Sequence, residues 1–134
     1  MTLATVPRYD REAVPVVGDH AVVVGGSMAG LFTARVLADG FETVTIIEKD
    51  TLPDQPTARR GVPQSSHVHA MQEAGRATLE DLFPGYGEDL VSVGGLVVDA
   101  ARKFNFYDEG DFLADGPNRL PAYSATWSLL EHVV

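Results

Sequence analysis

The first half of the chain alternates between short apolar runs and one stretch of helical spacing. Residues 21–24 form an uninterrupted apolar and β-branched run, which favours a strand buried on both faces of a parallel sheet. Residues 31–39 place their apolar side chains on one helical face, and Asp39 with Gly40 supplies a turn. Residues 43–47 are again β-branched. The pattern predicts strand, glycine turn, helix and parallel strand.

The second half predicts one further helix and an antiparallel β segment. From Met71, small and apolar residues recur at helical spacing as far as residue 82, and Ser65 and Ser66 offer an N-cap. Residues 91–100 and 102–107 read as strands, with Phe104 and Phe106 on a buried face. Residues 108–118 read as a turn region, 122–124 as a short strand and 127–134 as the start of a helix. Residues 1–20 read as an irregular tail. The fold class is therefore α/β.

Composition narrows the class of protein. The chain has 134 residues, 45% of them hydrophobic, which suits a single globular domain. Its formal charge of −9 argues against nucleic acid as a partner. It has no cysteine, no apolar run long enough to span a membrane, and charged residues where a signal peptide needs an apolar core. We expect no nucleic-acid partner, no membrane span and a cytoplasmic location.

The turn after the first strand carries the main candidate chemistry. It fits the dinucleotide fingerprint G-x-G-x-x-G, with serine in place of the second glycine. The first glycine permits the tight turn and the last allows the helix to approach the sheet, while the first helical amides attract a pyrophosphate. The predicted binding residues of this turn are Gly25, Gly26, Ser27, Met28, Ala29 and Gly30.

Glu48, at the end of the second strand, stands where an acidic residue accepts hydrogen bonds from a ribose. Its charge argues against the 2′-phosphate of NADP at this site. Lys49 is assigned to flank the adenosine. The alternative is a nucleotide-free strand–helix–strand unit that uses glycine only for packing.

Two basic and two imidazole side chains follow. Arg59 and Arg60 are predicted to supply at least one phosphate contact, because guanidinium matches phosphate in a bidentate fork. The alternative is a solvated pair. A metal at His67 and His69 is disfavoured, since no third ligand lies nearby in sequence. Helix capping or lining of the cofactor pocket is the favoured role for these histidines.

Three stretches resemble the class A FAD-dependent monooxygenases, the aromatic hydroxylases and their squalene- and polyether-epoxidase-like branch. They are VVVGGSMAGLFTARVL with IIEKD, then RRGVPQSSHVHAMQEAGRATLEDLFPG, and YSATWSLLEHVV. The resemblance implies a Rossmann-like FAD-binding βαβ unit, an Arg60 contact with FAD, and approach of Gln64 to His69 to the flavin. Trp127 departs from the family, which usually has an arginine near the cofactor at that position.

Members of that family are much longer than this chain. Residues 21–134 are therefore interpreted as the N-terminal part of a FAD-binding domain. On this interpretation, a missing C-terminal part or a second polypeptide completes the domain. Alone, the chain is expected to bind FAD weakly and catalyse nothing.

The resemblance also implies the activity. It is oxygenation of a small olefin or aromatic substrate with FAD as cofactor and NAD(P)H as transient reductant, and no catalytic triad is needed because the cofactor does the chemistry. One alternative is a non-catalytic nucleotide-binding partner subunit, and a plain NAD dehydrogenase is a third. Flavin halogenation is disfavoured, because neither Lys49 nor Lys103 lies where that class has its lysine.

Overall fold

A computed structural model describes residues 8–134, and its architecture is mixed α/β with one parallel and two antiparallel sheets. The predicted irregular tail lies outside the described residues for positions 1–7. For positions 8–20 it was partly wrong. Arg11–Ala13 forms a 3-10 turn capped by the Asp10 carboxylate, and the first strand begins at Gly18 rather than residue 21.

The N-terminal unit joins two parallel strands through a helix, as predicted. Strand β1 spans Gly18–Val24, helix α1 spans Met28–Leu37, and strand β2 spans Phe41–Ile47. Val22 pairs with Thr45 in the parallel register. Helix α1 begins at Met28, three residues before the start that its apolar spacing suggested, because the last three residues of the fingerprint already belong to the helix.

The prediction that β1 is buried on both faces was wrong. Val23 is buried on the α1 side, whereas Val22 and Val24 on the other face are 52% and 82% exposed. The parallel sheet has only two strands in residues 8–134, and only α1 packs extensively against it. A continuous apolar run indicates a strand buried on both faces only where other elements of the fold cover both faces of the sheet.

A second sheet lies further along the chain. Strands β3 (Val68–Met71), β4 (Leu96–Asp99) and β7 (Pro121–Thr126) form an antiparallel sheet in the order β3-β7-β4. Between them, β5 (Tyr107–Asp108) and β6 (Asp111–Phe112) form a small exposed hairpin. The antiparallel segment is thus present, with the last strand in its centre.

Four helices accompany this sheet: α2 (Glu73–Leu82), α3 (Tyr86–Ser92), α4 (Ala100–Lys103) and α5 (Trp127–His132). The main core lies between α1, α2, α3, α5 and β7. Its interior side chains are almost fully removed from water, and this burial of apolar surface is the main contribution to the stability of the fold. The buried members of this cluster are Met28, Leu79, Tyr86, Leu90, Tyr123, Ala125 and Leu130.

Several predicted elements were wrong. Residues 91–92 end α3 rather than start a strand, because the helix follows its N-cap residue Gly85, at a φ of +91°, and packs Leu90 inward. The strand predicted for residues 102–107 was also wrong. Its first two residues belong to the helical turn α4, which Asp99 caps, and the supposed core residues Phe104 and Phe106 are exposed.

The boundary of the next predicted helix was also misplaced. Met71 pairs with Tyr123 in the sheet, so α2 begins at Glu73. Ser65 and Ser66 do not cap it, since they lie in the 3-10 turn Pro63–Ser66 and Gln72 is the N-cap residue. Tertiary pairing with β7 overrides the helical spacing of Met71.

Glu80 joins α2 to α3 and β7. Its carboxylate accepts hydrogen bonds from the Tyr123 hydroxyl at 2.6 Å and from the Gly87 amide at 2.9 Å. The hydrogen bond from Tyr123 lowers the pKa of Glu80 below its ordinary value of 4.5, against the opposing effect of burial. The ionised carboxylate therefore stabilises the native state at neutral pH.

We expect Glu80→Gln to lower the free energy of unfolding by about 1.5–3 kcal/mol at pH 7, the usual range for a hydrogen bond to a charged group. Because the folded pKa lies below the unfolded one, this contribution is lost as pH falls below 4.5. The difference between wild type and variant should therefore shrink in urea titrations at low pH. Glu88→Gln, an exposed acid on α3, is the control and should change little at either pH. A difference that stays constant with pH would contradict this role for the charge.

Candidate functional site

The glycine turn connects the end of β1 to the start of α1 and has the backbone shape of a close-approach loop. Gly25 has a φ of +105°, a region that favours glycine, and its amide donates to the Ile47 carbonyl at 2.8 Å. A Cβ on Gly30 would lie 1.8 Å from the Gly25 carbonyl oxygen. Both terminal glycines of the fingerprint are thus required by geometry.

Glu48 lies beside this turn, as the sequence predicted. Its carboxylate accepts hydrogen bonds from the Asp50 amide at 2.9 Å and the Gly26 amide at 2.5 Å. These backbone donors lower the pKa of Glu48. An ionised acceptor is therefore fixed at the carboxyl end of β2, against the glycine turn.

Arg59 reaches the same turn from the loop after β2. Its side chain is only 7% exposed. The Nη2 group donates to the Gly26 carbonyl at 3.0 Å and to the Glu131 carboxylate at 2.8 Å. The Nη1 group lies 3.6 Å from a Glu48 oxygen but has no hydrogen-bond partner among the residues that the structure describes. A buried donor without an acceptor is costly and uncommon, which makes Nη1 a candidate donor for a ligand oxygen.

Glu131, on α5, completes the site, and the sequence reasoning missed it. Its Oε1 atom accepts from the Ser27 hydroxyl at 2.5 Å, the Met28 amide at 3.0 Å and the Trp127 indole at 2.7 Å. Although burial raises the pKa of Glu131, these bonds and the Arg59 contact lower it below its ordinary value. A carboxylate therefore occupies the positive end of α1.

A cavity of about 180 Å³ opens beside this cluster. Typical small-molecule sites measure about 300–1,000 Å³, so this cavity suits a phosphate group or part of a nucleotide rather than a whole dinucleotide. It combines residues of the glycine turn and α1, the loop after β2, and α5 with the residues beyond it. The residues lining it are Gly26, Leu31, Leu52, Pro53, Gln55, Pro56, Thr57, Arg59, Ser128, Glu131, His132 and Val134.

The structure brings some predicted residues together and leaves others apart. Gly25 to Gly30, Glu48 and Arg59 form one cluster, although Ala29 is exposed. Lys49, Arg60 and Gln64 are exposed, and none of them lines the cavity. Arg59 is therefore better placed than Arg60 for a phosphate contact.

The two histidines also lie away from the cavity. His67 is exposed, while His69 packs edge-on against Trp127 with ring centroids 4.7 Å apart. No group of three or more metal-ligating side chains converges within residues 8–134. In the same residues, no helix has both the length and the apolar character needed to cross a membrane.

Comparison with known proteins adds one similarity. No family model matches the chain. Protein Rv3254 of Mycobacterium tuberculosis is 49% identical to it over 76 residues, which is 57% of this chain and 16% of the relative. The matched segment is thus about a sixth of that relative's length. The similarity assigns no activity.

One sequence signal pointed towards Glu131. It stands four residues after Trp127, which is the departure from the family pattern noted above. Side chains four residues apart share a helix face, and the indole N–H does donate to this carboxylate. The contact with α1, more than a hundred residues earlier, has no local signature.

Proposed function

We propose that this chain is the nucleotide-binding part of a FAD-dependent monooxygenase. The observation that carries the proposal is the buried guanidinium of Arg59, a residue that lines the cavity and donates to the Gly26 carbonyl, while its Nη1 has no hydrogen-bond partner within residues 8–134. Guanidinium groups bind phosphate bidentately, and this one lies at the N-terminal end of a ten-residue helix.

The residues present fit the adenosine diphosphate half of FAD. Arg59 and the first amides of α1 would hold the pyrophosphate, and Glu48 would accept the ribose hydroxyls. The exposed Lys49 follows Glu48 and would flank the adenosine. Arg60 and Gln64 remain proposed contacts, and Trp127 does not deprive the site of a cation, because Arg59 supplies one.

When bound, FAD reduced by NAD(P)H supplies the oxygen chemistry, in which one atom of O2 enters an olefin or aromatic substrate and the other leaves as water. The residues of this chain bind and orient the nucleotide and keep water from its phosphates. The flavin ring and the substrate would be held by further polypeptide. The exposed Val22 and Val24 support this, since a bare apolar sheet face suits a covering layer.

The direct test is isothermal titration of the chain with FAD, ADP and FMN. We expect FAD and ADP to bind weakly and FMN to bind not at all, because FMN lacks the adenosine diphosphate that these residues recognise. Arg59→Lys keeps the charge but loses the forked donors, so it should weaken ADP binding about tenfold. Arg119→Lys is the matched control and should change binding by less than about twofold, because Arg119 is exposed and does not line the cavity. Absence of both FAD and ADP binding would refute the proposal.

The small cavity favours one alternative, a nucleotide-binding partner subunit without activity of its own. Binding of ADP as tight as that of FAD would be compatible with both functions. They separate when the chain is joined to the polypeptide that completes it. Substrate-dependent NAD(P)H oxidation by that complex supports the monooxygenase, and its absence with FAD bound supports the partner subunit.

A further inference from the structure

Glu131 occupies the position where a phosphate group would bind to α1. Its carboxylate takes the Ser27 hydroxyl, the Met28 amide and the Trp127 indole, and its second oxygen takes Nη2 of Arg59. The side chain is only 8% exposed. These are the donors that a pyrophosphate oxygen would need at a glycine turn.

We infer that Glu131 is an internal competitor for the phosphate site, and that a nucleoside diphosphate displaces the Glu131 carboxylate when it binds. The inference rests on the proposed function and specifies what limits affinity at that site. A carboxylate and a diphosphate cannot share the same donors at hydrogen-bond distance without strong repulsion between like charges. One of the two must leave.

Arg59 explains why the exchange is feasible. With Glu131 in place, Nη1 of Arg59 lies 3.6 Å from a Glu48 oxygen and has no hydrogen-bond partner in the described part of the chain. A diphosphate offers more oxygen acceptors than a carboxylate, so it can accept from Nη1 as well as from the groups that Glu131 releases. Glu131 also lines the cavity, into which the displaced side chain would move.

The exchange has a cost that lowers the apparent affinity. The fraction of molecules with an open phosphate site multiplies the intrinsic affinity, so a strongly preferred closed state weakens binding. Neutralising residue 131 should remove most of that cost. We therefore expect Glu131→Gln to bind ADP about tenfold more tightly than wild type, because the repulsion between anions is lost.

Trp127 provides an optical signal for the same event. It is the single tryptophan of the chain, and its indole N–H donates to Glu131. ADP should therefore change the Trp127 emission of the wild-type chain as this bond breaks. In Glu131→Gln the change should be smaller, because no carboxylate is displaced.

The experiment titrates ADP into wild type, Glu131→Gln and Trp127→Phe by calorimetry, with emission spectra for the first two. Trp127→Phe removes one donor that holds the carboxylate while leaving its charge, so it should tighten ADP binding by about threefold. If Glu131→Gln fails to show cooperative thermal unfolding, Trp127→Phe alone tests whether ADP displaces Glu131. Control titrations with AMP should show a smaller gain in Glu131→Gln, because AMP carries less negative charge.

The outcomes separate the two proposals. Tighter ADP binding by the variants, with a reduced emission change in Glu131→Gln, supports displacement. Equal or weaker binding by the folded variants, with wild type still binding ADP, overturns displacement and makes Glu131 a residue that positions Arg59. Failure of wild type and variants alike to bind ADP overturns both displacement and the proposed function.

Discussion

Gly30→Ala is expected to destabilise the chain by at least about 3 kcal/mol, at the upper end of what overpacking costs. The added methyl would lie 1.8 Å from the Gly25 carbonyl oxygen, a backbone atom that cannot turn aside. The glycine turn and α1 would have to separate, and both belong to the site. Native domains are stable by only about 5–15 kcal/mol, so the loss should be visible in urea unfolding.

Gly40→Ala is the matched control, because Gly40 lies just beyond the other end of α1. A Cβ there would meet its nearest neighbours at 3.6 Å, which is ordinary van der Waals contact. Since alanine also restricts the unfolded chain, this variant should be neutral or stabilised by about 0.4–1 kcal/mol. Equal losses of unfolding free energy in Gly30→Ala and Gly40→Ala would contradict the close approach of α1 to the glycine turn.

Arg59→Ala should lower the free energy of unfolding by about 3–5 kcal/mol, the usual cost of removing one partner from a buried ion pair. Both Arg59 and Glu131 have side chains less than a tenth exposed, so solvent does little to screen the remaining charge. Glu131 keeps three donors, which places the expected loss near the lower limit. Chemical unfolding at pH 7 measures it.

Two variants test the origin of that loss. Arg60→Ala removes the exposed neighbouring arginine and should change stability by no more than about 0.5 kcal/mol. Arg59→Met combined with Glu131→Gln removes both charges and should be less destabilised than Arg59→Ala alone. A double variant less stable than Arg59→Ala would indicate that the loss does not come from leaving the Glu131 charge without its partner.

The local features of the fold were accessible from sequence, and the long-range ones were not. The β-branched runs and the glycine turn predicted β1, α1 and β2, because each pattern depends on neighbouring residues. Phe104 and Phe106 were misassigned because period-two spacing does not show whether a covering layer exists. Met71 was misassigned because its helical spacing competes with pairing to β7.

The candidate site divides along the same line. Glu48 and the glycine turn follow from strand ends and fingerprint spacing, so their proximity was predictable. The choice between Arg59 and Arg60 was not, since the two are adjacent in one loop and only burial distinguishes them. Glu131 reaches Ser27 across 104 residues of sequence, a contact that no local pattern records.

That span links the site to the order in which the chain folds. Closing a long loop costs entropy before its contacts compensate, so contacts between distant residues slow folding. The first helix and its turn are local and can form early, but the pairing of Ser27 with Glu131 requires α5 to arrive from the far end of the described chain. Until it arrives, Arg59 lacks the carboxylate that anchors it. Recovery of the Trp127–Glu131 contact during refolding would therefore report the final closure of the chain rather than the formation of any single helix.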